Sequence, residues 1–168
     1  WGSADADYLN LVSDVLSVGK NSRLYKRLVY EDQIATSVSA YVDLREIAGQ
    51  FQIVATAQQG VDLADIEKAI DEELTIFLKK GPSRSEMDRI KTQYRAGFIR
   101  GIERIGGFGG KSDILASGAV YHDNPGFYAQ EMEWTKQATV SDVQNAAQQW
   151  LSSGDFVLNV VPQPNYTA

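Results

Sequence analysis

The segment TSVSAYVDLREIAGQFQIVATAQQG, residues 36–60, decides the fold of this chain. In its first half, apolar residues occupy every second position, at Val38, Ala40, Val42 and Leu44. The second half repeats this spacing at Phe51, Ile53, Ala55 and Ala57. A period of two is typical of a half-buried strand, and the short link Ile47-Ala48-Gly49 allows only a tight reversal. The segment therefore predicts an antiparallel β-hairpin.

Helical spacing of apolar residues predicts helices on both sides of this hairpin. Before it we expect a helix over 5–18, closed by Gly19, and a short one that Ser22 caps. After it we expect a helix over 62–80, ended by Gly81-Pro82, and a long one opened by a capping box, Ser83-x-x-Glu86. Three more follow, over 113–121, over 127–136, and from Thr139 to near residue 152.

Residues 155–162, DFVLNVVP, are predicted as a third strand, and residues 163–168 as a flexible tail. The fold class is therefore α+β: a two-layer sandwich with helices packed on one face of a small, mainly antiparallel sheet. Residues 1–162 form one domain. Three strands are few for so many helices, so we expect a first strand to be missing before Trp1. We therefore expect the chain to be a fragment of a longer protein. The sheet edge that the missing strand would leave free is expected to favour self-association of the fragment.

The overall composition excludes several classes of function. The chain has 168 residues, a net charge of −6 and a pI of about 4.8, which argues against a nucleic acid partner. No apolar run approaches the roughly 20 residues that span a bilayer, so no membrane partner is expected. There are 0 Cys and 1 His, so neither a thiolate site nor a zinc-binding pair of histidines is available. His122 itself lies in a turn cluster and is expected to be a solvated loop residue.

The glycine-rich stretch GIERIGGFGGKSDIL, residues 101–115, superficially suggests a phosphate-binding loop. That motif needs a glycine five residues before Gly110, where this chain has Ile105, and it needs a preceding strand rather than a helix. The stretch instead predicts a break between two helices, because glycine is unfavourable inside a helix. Gly97 and Gly101, four residues apart, are expected to allow close approach of another element.

Neither charged run of the chain assembles a catalytic group. The acidic residues of 67–73 follow helical spacing and predict a solvated face. The basic residues of 84–104 alternate with acidic ones and predict a salt-bridged surface. No nucleophile elbow G-x-S-x-G occurs. We therefore predict no catalytic residue in this chain.

The segment GKNSRLYKRLVYEDQIATSVSAYVD, residues 19–43, resembles the C-terminal-type domain of the insulinase/pitrilysin family of zinc metallopeptidases. The matching positions are Gly19, Ser22, Arg23, Leu24, Tyr25, Leu28, Ile34, Ala35, Val38 and Ala40. Gly60-Val61-Asp62 and a late helix that contains Trp150 follow in the order of that family. The resemblance thus covers nearly the whole chain.

This resemblance implies related two-layer units that face each other around a chamber, one of them carrying zinc on a His-x-x-Glu-His motif and a distant Glu. The present chain lacks the motif, so it resembles a non-zinc domain and holds no cofactor. Zinc is expected in another domain of the same protein or in a partner subunit. The substrate-binding Arg and Tyr of family members align with Val29 and Thr36, so that pair also looks absent. Arg27 stands two residues from the Arg position.

The resemblance therefore implies a non-catalytic domain of a zinc metalloendopeptidase that shapes the wall of a peptide-degrading chamber. Its partners would be the other domains of the protease and the peptide substrate. Two alternatives remain open: a structural homologue without protease activity, and a module for protein interaction or assembly. A bacterial periplasm and a cytoplasm are both compatible with the sequence.

Overall fold

The computed structural model describes residues 2–162; the tail predicted at 163–168 lies outside the described residues. The helices fall where the apolar spacing predicts them. They are α1 (Ala4–Ser17), a π-helix (Tyr25–Glu31), α2 (Leu63–Lys80), α3 (Arg84–Ile102), α4 (Lys111–His122), α5 (Tyr128–Gln137) and α6 (Val140–Leu151). The strands are β1 (Ala35–Leu44) and β2 (Gly49–Ala57).

Helix boundaries are set by side-chain caps at the predicted positions. The Ser83 hydroxyl accepts from the Glu86 backbone N–H, and the Glu86 carboxylate accepts from the Ser83 N–H, which completes the capping box of α3. Thr139 and Asp142 form the same reciprocal pair at the start of α6. Gly81 follows the end of α2 at φ +67°, a left-handed conformation that glycine adopts without strain.

The β-hairpin confirms the alternation seen in the sequence. β1 and β2 pair antiparallel with Ala40 opposite Ile53 and Tyr41 opposite Gln52, and the register slips between Ala35 and Ser37. Val38 and Ala40 are buried, whereas Ser37, Ser39 and Tyr41 between and beside them are exposed. One face of the sheet is therefore covered and the other is bare.

The covered face packs on α1, the centre of the core. Leu11, Val12, Val15 and Leu16 of this helix are almost fully buried. At its C-terminal end, the Ser17 hydroxyl accepts a hydrogen bond from the Ala40 N–H at 2.8 Å and lies 3.2 Å from the Ala40 carbonyl oxygen, to which it donates. The helix layer thus bonds directly to β1. This arrangement confirms the predicted α+β class, with helices packed on a small sheet.

Two expectations about local structure are wrong. The short second helix is a π-helix, in which the Asp32 N–H donates to the Arg27 carbonyl five residues earlier. The Ser22 hydroxyl does not cap it but donates to the Gly19 carbonyl at 2.7 Å. Ser22 is buried, and its hydroxyl satisfies its donor locally on the Gly19 carbonyl instead of accepting from a backbone N–H of the helix.

The strand predicted at 155–162 is also wrong: these residues form neither helix nor strand. A β-strand exists only where a neighbouring strand shares its hydrogen bonds. Within residues 2–162, β1 and β2 pair only with each other. The high β-propensity of Phe156, Val157 and Val160 is therefore not used, because no partner strand lies beside them.

Candidate functional site

The bare face of the hairpin is the surface that the fold leaves open for a ligand. It carries alternate residues of the two strands: Ser37, Ser39, Tyr41, Gln50, Gln52, Val54 and Thr56. All but Val54 can form hydrogen bonds, and none of these seven is charged; the next residue of the row, Asp43, is opposite Gln50 and pairs with Arg45. Tyr41 is 43% exposed and stands at the centre of this group. The face therefore offers neutral donors and acceptors to an incoming group.

Side chains on this bare face are ordered by their own hydrogen bonds. The Tyr41 hydroxyl donates to Gln52 Oε1 across the strands at 2.8 Å, and the Gln52 amide donates to Gln50 Oε1 at 3.1 Å. At the end next to the turn, Arg45 donates to Asp43 Oδ2 at 2.8 Å. The row of neutral polar side chains thus ends in an ion pair beside the turn.

The two family substrate positions do not come together as a polar pair. Val29 lies in the π-helix and packs, half-buried, against the hydrophobic core. Thr36 is exposed at the start of β1, where its hydroxyl donates to the Thr56 carbonyl at 3.2 Å. Only Thr36 therefore presents a polar atom at the surface, and that atom is bonded across the hairpin.

Arg27, the nearest arginine to the family position, is engaged in an acidic cluster. Its guanidinium pairs with Asp32 and donates to Glu72 at 3.0 Å, with Glu73 at 3.9 Å. Both glutamates belong to α2, so this cluster joins the π-helix to the outer surface of α2. The guanidinium is occupied by three carboxylates and is not directed at the bare sheet face.

A second arginine of the family pattern, Arg23, forms the main polar contact between the π-helix region and the α2–α3 junction. Its guanidinium binds Glu86 through two hydrogen bonds of 2.8 and 2.9 Å, and it donates to the Gly81 carbonyl at 2.9 Å. The same group lies 5.0 Å above the centre of the Phe77 ring. The sequence showed Glu86 only as part of a capping box, so this second role became visible only in the structure.

Glu86 is held in its charged form by these contacts. Burial alone would raise its pKa, but the hydrogen bonds from Arg23 and Ser83 outweigh burial and lower the pKa to about 2. The Arg23–Glu86 pair is therefore an ionic anchor for the domain rather than a proton donor or acceptor.

Buried acidic groups lie in the helix packing, away from the sheet face. Burial and the negative charge of Glu131 raise the pKa of Asp7 to about 7. Burial also raises the pKa of Asp14 to about 6, against the opposing effect of Arg89. Asp7 Oδ2 is buried without a hydrogen-bond partner. Perturbed carboxyl groups often mark active sites, but these face the neighbouring helices α3 and α5, so we interpret them as a cost in stability.

His122 is not the solvated loop residue that the turn cluster suggested. It ends α4, and its ring stacks on Phe127 with 3.6 Å between ring centres. The backbone of Gly2 lies so close that a Cβ there would fall 2.0 Å from His122 Cε1. Among residues 2–162, no group of three His, Asp or Glu side chains could hold a metal ion. The residues described thus do not fit a zinc site.

A comparison with protein families identifies the family of this chain. The family model described as the peptidase M16 inactive domain matches residues 1–94. This match confirms the resemblance to a non-zinc domain of the insulinase-type peptidases. No curated protein sequence matches the chain significantly.

Solved structures show where the same fold occurs. A candidate zinc protease from Bordetella pertussis Tohama I superposes with a TM-score of 0.77 at 21% identity, over 89% of this chain and 81% of that one. A protease from Helicobacter pylori gives 0.74 at 20% identity, over 89% of this chain but 35% of the other. A peptidase M16 inactive domain from Pseudomonas fluorescens gives 0.67 at 18% identity, over 88% and 34%. At these identities the likeness shows the fold, and the last two chains are much longer than the part they share with this one.

Proposed function

Because the chain belongs to the peptidase M16 inactive-domain family, we propose that it serves as a non-catalytic domain of a zinc-dependent endopeptidase and shapes the wall of a peptide-degrading chamber. The observation that carries this proposal is the bare polar face of the hairpin. All helices that contact the sheet leave this face open, and an enclosed chamber needs a wall that a peptide can touch.

The chemistry of the bare face suits a peptide of varied sequence. Backbone amides of an extended peptide seek neutral donors and acceptors, which Tyr41, Gln50 and Gln52 supply. The one carboxylate of this face, Asp43, is paired with Arg45, so the surface carries no net charge that would select or repel one sign of substrate charge. The face therefore favours contact along the peptide backbone over recognition of one side chain.

Zinc and the water-activating glutamate would belong to another domain of the protein. The single histidine of this chain stacks in the helix layer, and no trio of potential ligands converges among residues 2–162. We expect the isolated chain to bind no stoichiometric zinc and to cleave no peptide. One tight zinc per chain in a metal analysis would overturn this assignment.

The parent protein separates the proposal from its two alternatives. A His-x-x-Glu-His motif with a distant Glu elsewhere in the parent, together with peptide cleavage, supports a protease. A parent without that motif and without cleavage is a structural homologue that has lost the activity. If the chain is an assembly module, it should bind its partner equally well when the His-x-x-Glu-His motif of the parent is inactivated by mutation.

The wall role is tested in the full-length parent with Tyr41→Ala and Gln52→Ala. Each change removes one side of a hydrogen-bonded pair on the bare face, so we expect KM for peptides to rise about threefold with kcat little changed. Thr75→Ala, at an exposed position on the outer surface of α2, is the matched control and should leave KM unaltered. If all three variants and the unaltered parent have the same KM, the bare face of the hairpin does not contact the peptide, and the proposed wall role is contradicted.

A further inference from the structure

The C-terminal half of α3, the loop after it and the first residue of α4 carry cations that form no ion pair within residues 2–162. Arg95, Arg100, Arg104 and Lys111 are exposed, and none forms an ion pair within residues 2–162. The salt-bridged surface expected from the sequence is therefore wrong for this part of the helix. The chain as a whole has a net charge of −6, so a group of four unpaired cations within 17 residues contrasts with the overall charge.

The loop between α3 and α4 holds a phenylalanine in solvent. Phe108 is 97% exposed and Ile105 is 79% exposed. Aromatic side chains lose favourable burial energy in such positions. An exposed phenylalanine beside an exposed isoleucine marks an interaction surface when the backbone keeps both out of the core.

The backbone of this loop is ordered by internal hydrogen bonds. The Lys111 N–H donates to the Arg104 carbonyl at 2.9 Å, and the Gly109 N–H donates to Asp113 Oδ2 at 2.8 Å. Gly107 and Gly109 have φ of +82° and +72°, a conformation that side chains other than glycine rarely adopt. Phe108 therefore stands between two glycines at the tip of a hydrogen-bonded turn.

A shallow groove lies next to this turn. It is lined by Tyr94, Gly97, Phe98, Gly101, Gly109 and Ile114. Gly101 is approached by the Gly109 carbonyl, at 3.7 Å from an ideal Cβ, but nothing lies within 4 Å of such an atom on Gly97. The close approach expected at Gly97 is therefore wrong within the described chain, and the missing side chain leaves a space that is open from outside.

We propose that one docking surface is formed by Phe108, Ile105, the groove beside Gly97 and the four cations. It binds another domain of the same protein, at a surface that is apolar in its centre and acidic around it. Phe108 enters an apolar depression of that domain, and an apolar side chain of that domain enters the groove beside Gly97. Acidic groups around this contact pair with Arg100, Arg104 and Lys111. We call these residues the Phe108 surface.

Charge and shape favour a protein over the other macromolecules that bind cations. Nucleic acid binding requires a basic domain, and this domain is acidic overall. An anionic membrane would meet the same repulsion, and lipid chains would cover Phe108 without filling a groove beside it. Separately, no described helix is long and apolar enough to cross a membrane. Buried aromatic anchors and arginines are the groups that dominate protein interfaces.

This inference rests on the proposed function in one respect, namely that the occupant is a further domain of the parent. Related folds occur in chains of which this domain covers only about a third, so such chains contain further polypeptide for the surface to meet. A second copy of this chain fits less well, because two Phe108 surfaces would bring like charges together.

The test is photocrosslinking in the full-length parent. The photoreactive analogue p-benzoylphenylalanine replaces Phe108 in one preparation and Ile47 in the other. Ile47 is 98% exposed at the turn of the hairpin and is the matched control. We expect the probe at 108 to give about tenfold more crosslinked product than the probe at 47. Mass spectrometry should place that product within the same polypeptide, on a segment rich in Asp and Glu.

The yield of the crosslink at position 108 also tests the role of the cations. Arg104→Glu with Lys111→Glu should reduce the crosslink at 108 about tenfold, and about 0.5 M salt should reduce it in the unaltered protein. Thermal unfolding of each variant checks that the domain remains folded. A yield at 108 no higher than at 47 overturns the proposal. So does a product formed only with lipid or only between two copies.

Peptide cleavage by the same preparations separates the two proposals. A parent that cleaves peptides but gives no crosslink at 108 refutes the docking surface alone. A parent that gives the crosslink but lacks both the zinc motif and cleavage refutes the protease role and retains the docking surface.

Discussion

Replacing Asp7 by Asn should stabilise the domain, and by more at high pH than at low pH. The carboxyl group of Asp7 is half-buried between α1 and the helices facing it, and Oδ2 has no hydrogen-bond partner. Burial and the negative charge of Glu131 raise the pKa of Asp7 from its ordinary value of 3.8 to about 7. The folded protein therefore pays a free-energy penalty whenever this group is ionised.

The size of the effect follows from that difference in pKa. A change from 3.8 to about 7 corresponds to about 4 kcal/mol as a ceiling. Solvent still reaches part of the group, and the charge gains a little from the N-terminal end of α1, so we expect about 2 kcal/mol. For a domain of this length, about 2 kcal/mol corresponds to a rise in Tm of roughly 4–8 °C.

The direction with pH follows from which state holds the proton. Below about pH 4, Asp7 is protonated in both the folded and the unfolded chain, so it imposes no penalty. As pH rises from about 4 to about 7, the unfolded chain releases the proton while the folded chain retains it, and the stability of the unaltered protein falls. Above about pH 8 the penalty is complete. Asp7→Asn should therefore gain little near pH 4 and its full benefit near pH 8.

Urea unfolding of both proteins at several pH values between about 4 and 8 measures this difference. Asp71→Asn, at an exposed position on α2, is the matched control, and its free energy of unfolding should differ from that of the unaltered chain by the same small amount at every pH. An Asp7→Asn variant that is equally stabilised near pH 4 and pH 8, or destabilised near pH 8, would refute the assignment of a buried, unpaired carboxylate.

Further predictions concern the Arg23–Glu86 ion pair and two helix glycines. Arg23→Met should lower the free energy of unfolding by about 3 kcal/mol in urea titrations, because Glu86 would remain buried without its partner; an unchanged midpoint would show that the pair contributes nothing. Since the pKa of Glu86 is about 2, below its ordinary value of 4.5, the stabilisation by this pair should fall as pH drops from about 5 towards 2, and Arg23→Met should weaken that slope, leaving the part that the Ser83 hydrogen bonds supply. Gly118→Ala should destabilise by about 2 kcal/mol in thermal unfolding, because its Cβ would lie 2.5 Å from the Asn124 carbonyl oxygen. Gly97→Ala, in the open groove, should instead stabilise by roughly 0.5–1 kcal/mol, and a matching loss at both glycines would contradict the geometry.

Much of the fold could be predicted because its signals are local. A period of two over residues 36–57 specifies the hairpin without reference to any other part of the chain. The capping boxes at Ser83 and Thr139 specify helix starts for the same reason, since their hydrogen bonds span three residues. The absence of a phosphate-binding loop could likewise be inferred from spacing alone, because Ile105 stands where that motif needs a glycine.

Apart from the π-helix and the Ser22 cap, the predictions that were wrong depended on a distant partner. Residues 155–162 have the composition of a strand, but pairing requires a second strand at the right place. The six basic residues of 84–104 looked salt-bridged in the sequence, yet the acidic residues nearest in sequence do not pair with them in the structure. His122 looked solvated in a turn cluster until the fold brought Gly2 and Phe127 against its ring.

The candidate site shows the same division. The sequence predicted that Val29 and Thr36 would lack the polar pair of the family, and that remains a prediction about substrate binding. It did not indicate that Arg23 would join Glu86 across 63 residues of chain, or that Asp7 would face Glu131 across helices. Those contacts depend on how helices cross, which periodicity does not specify.

The sequence by itself therefore determined the family, the helices, the hairpin and the absence of a zinc motif, because each depends on residues close together in the chain. Only the tertiary structure decided which charges are paired, which carboxyl groups are buried, and which sheet face and loop remain exposed. Burial and ion pairing are properties of neighbours in space, and the free energy of a charged or apolar side chain depends on those neighbours rather than on its position in the sequence.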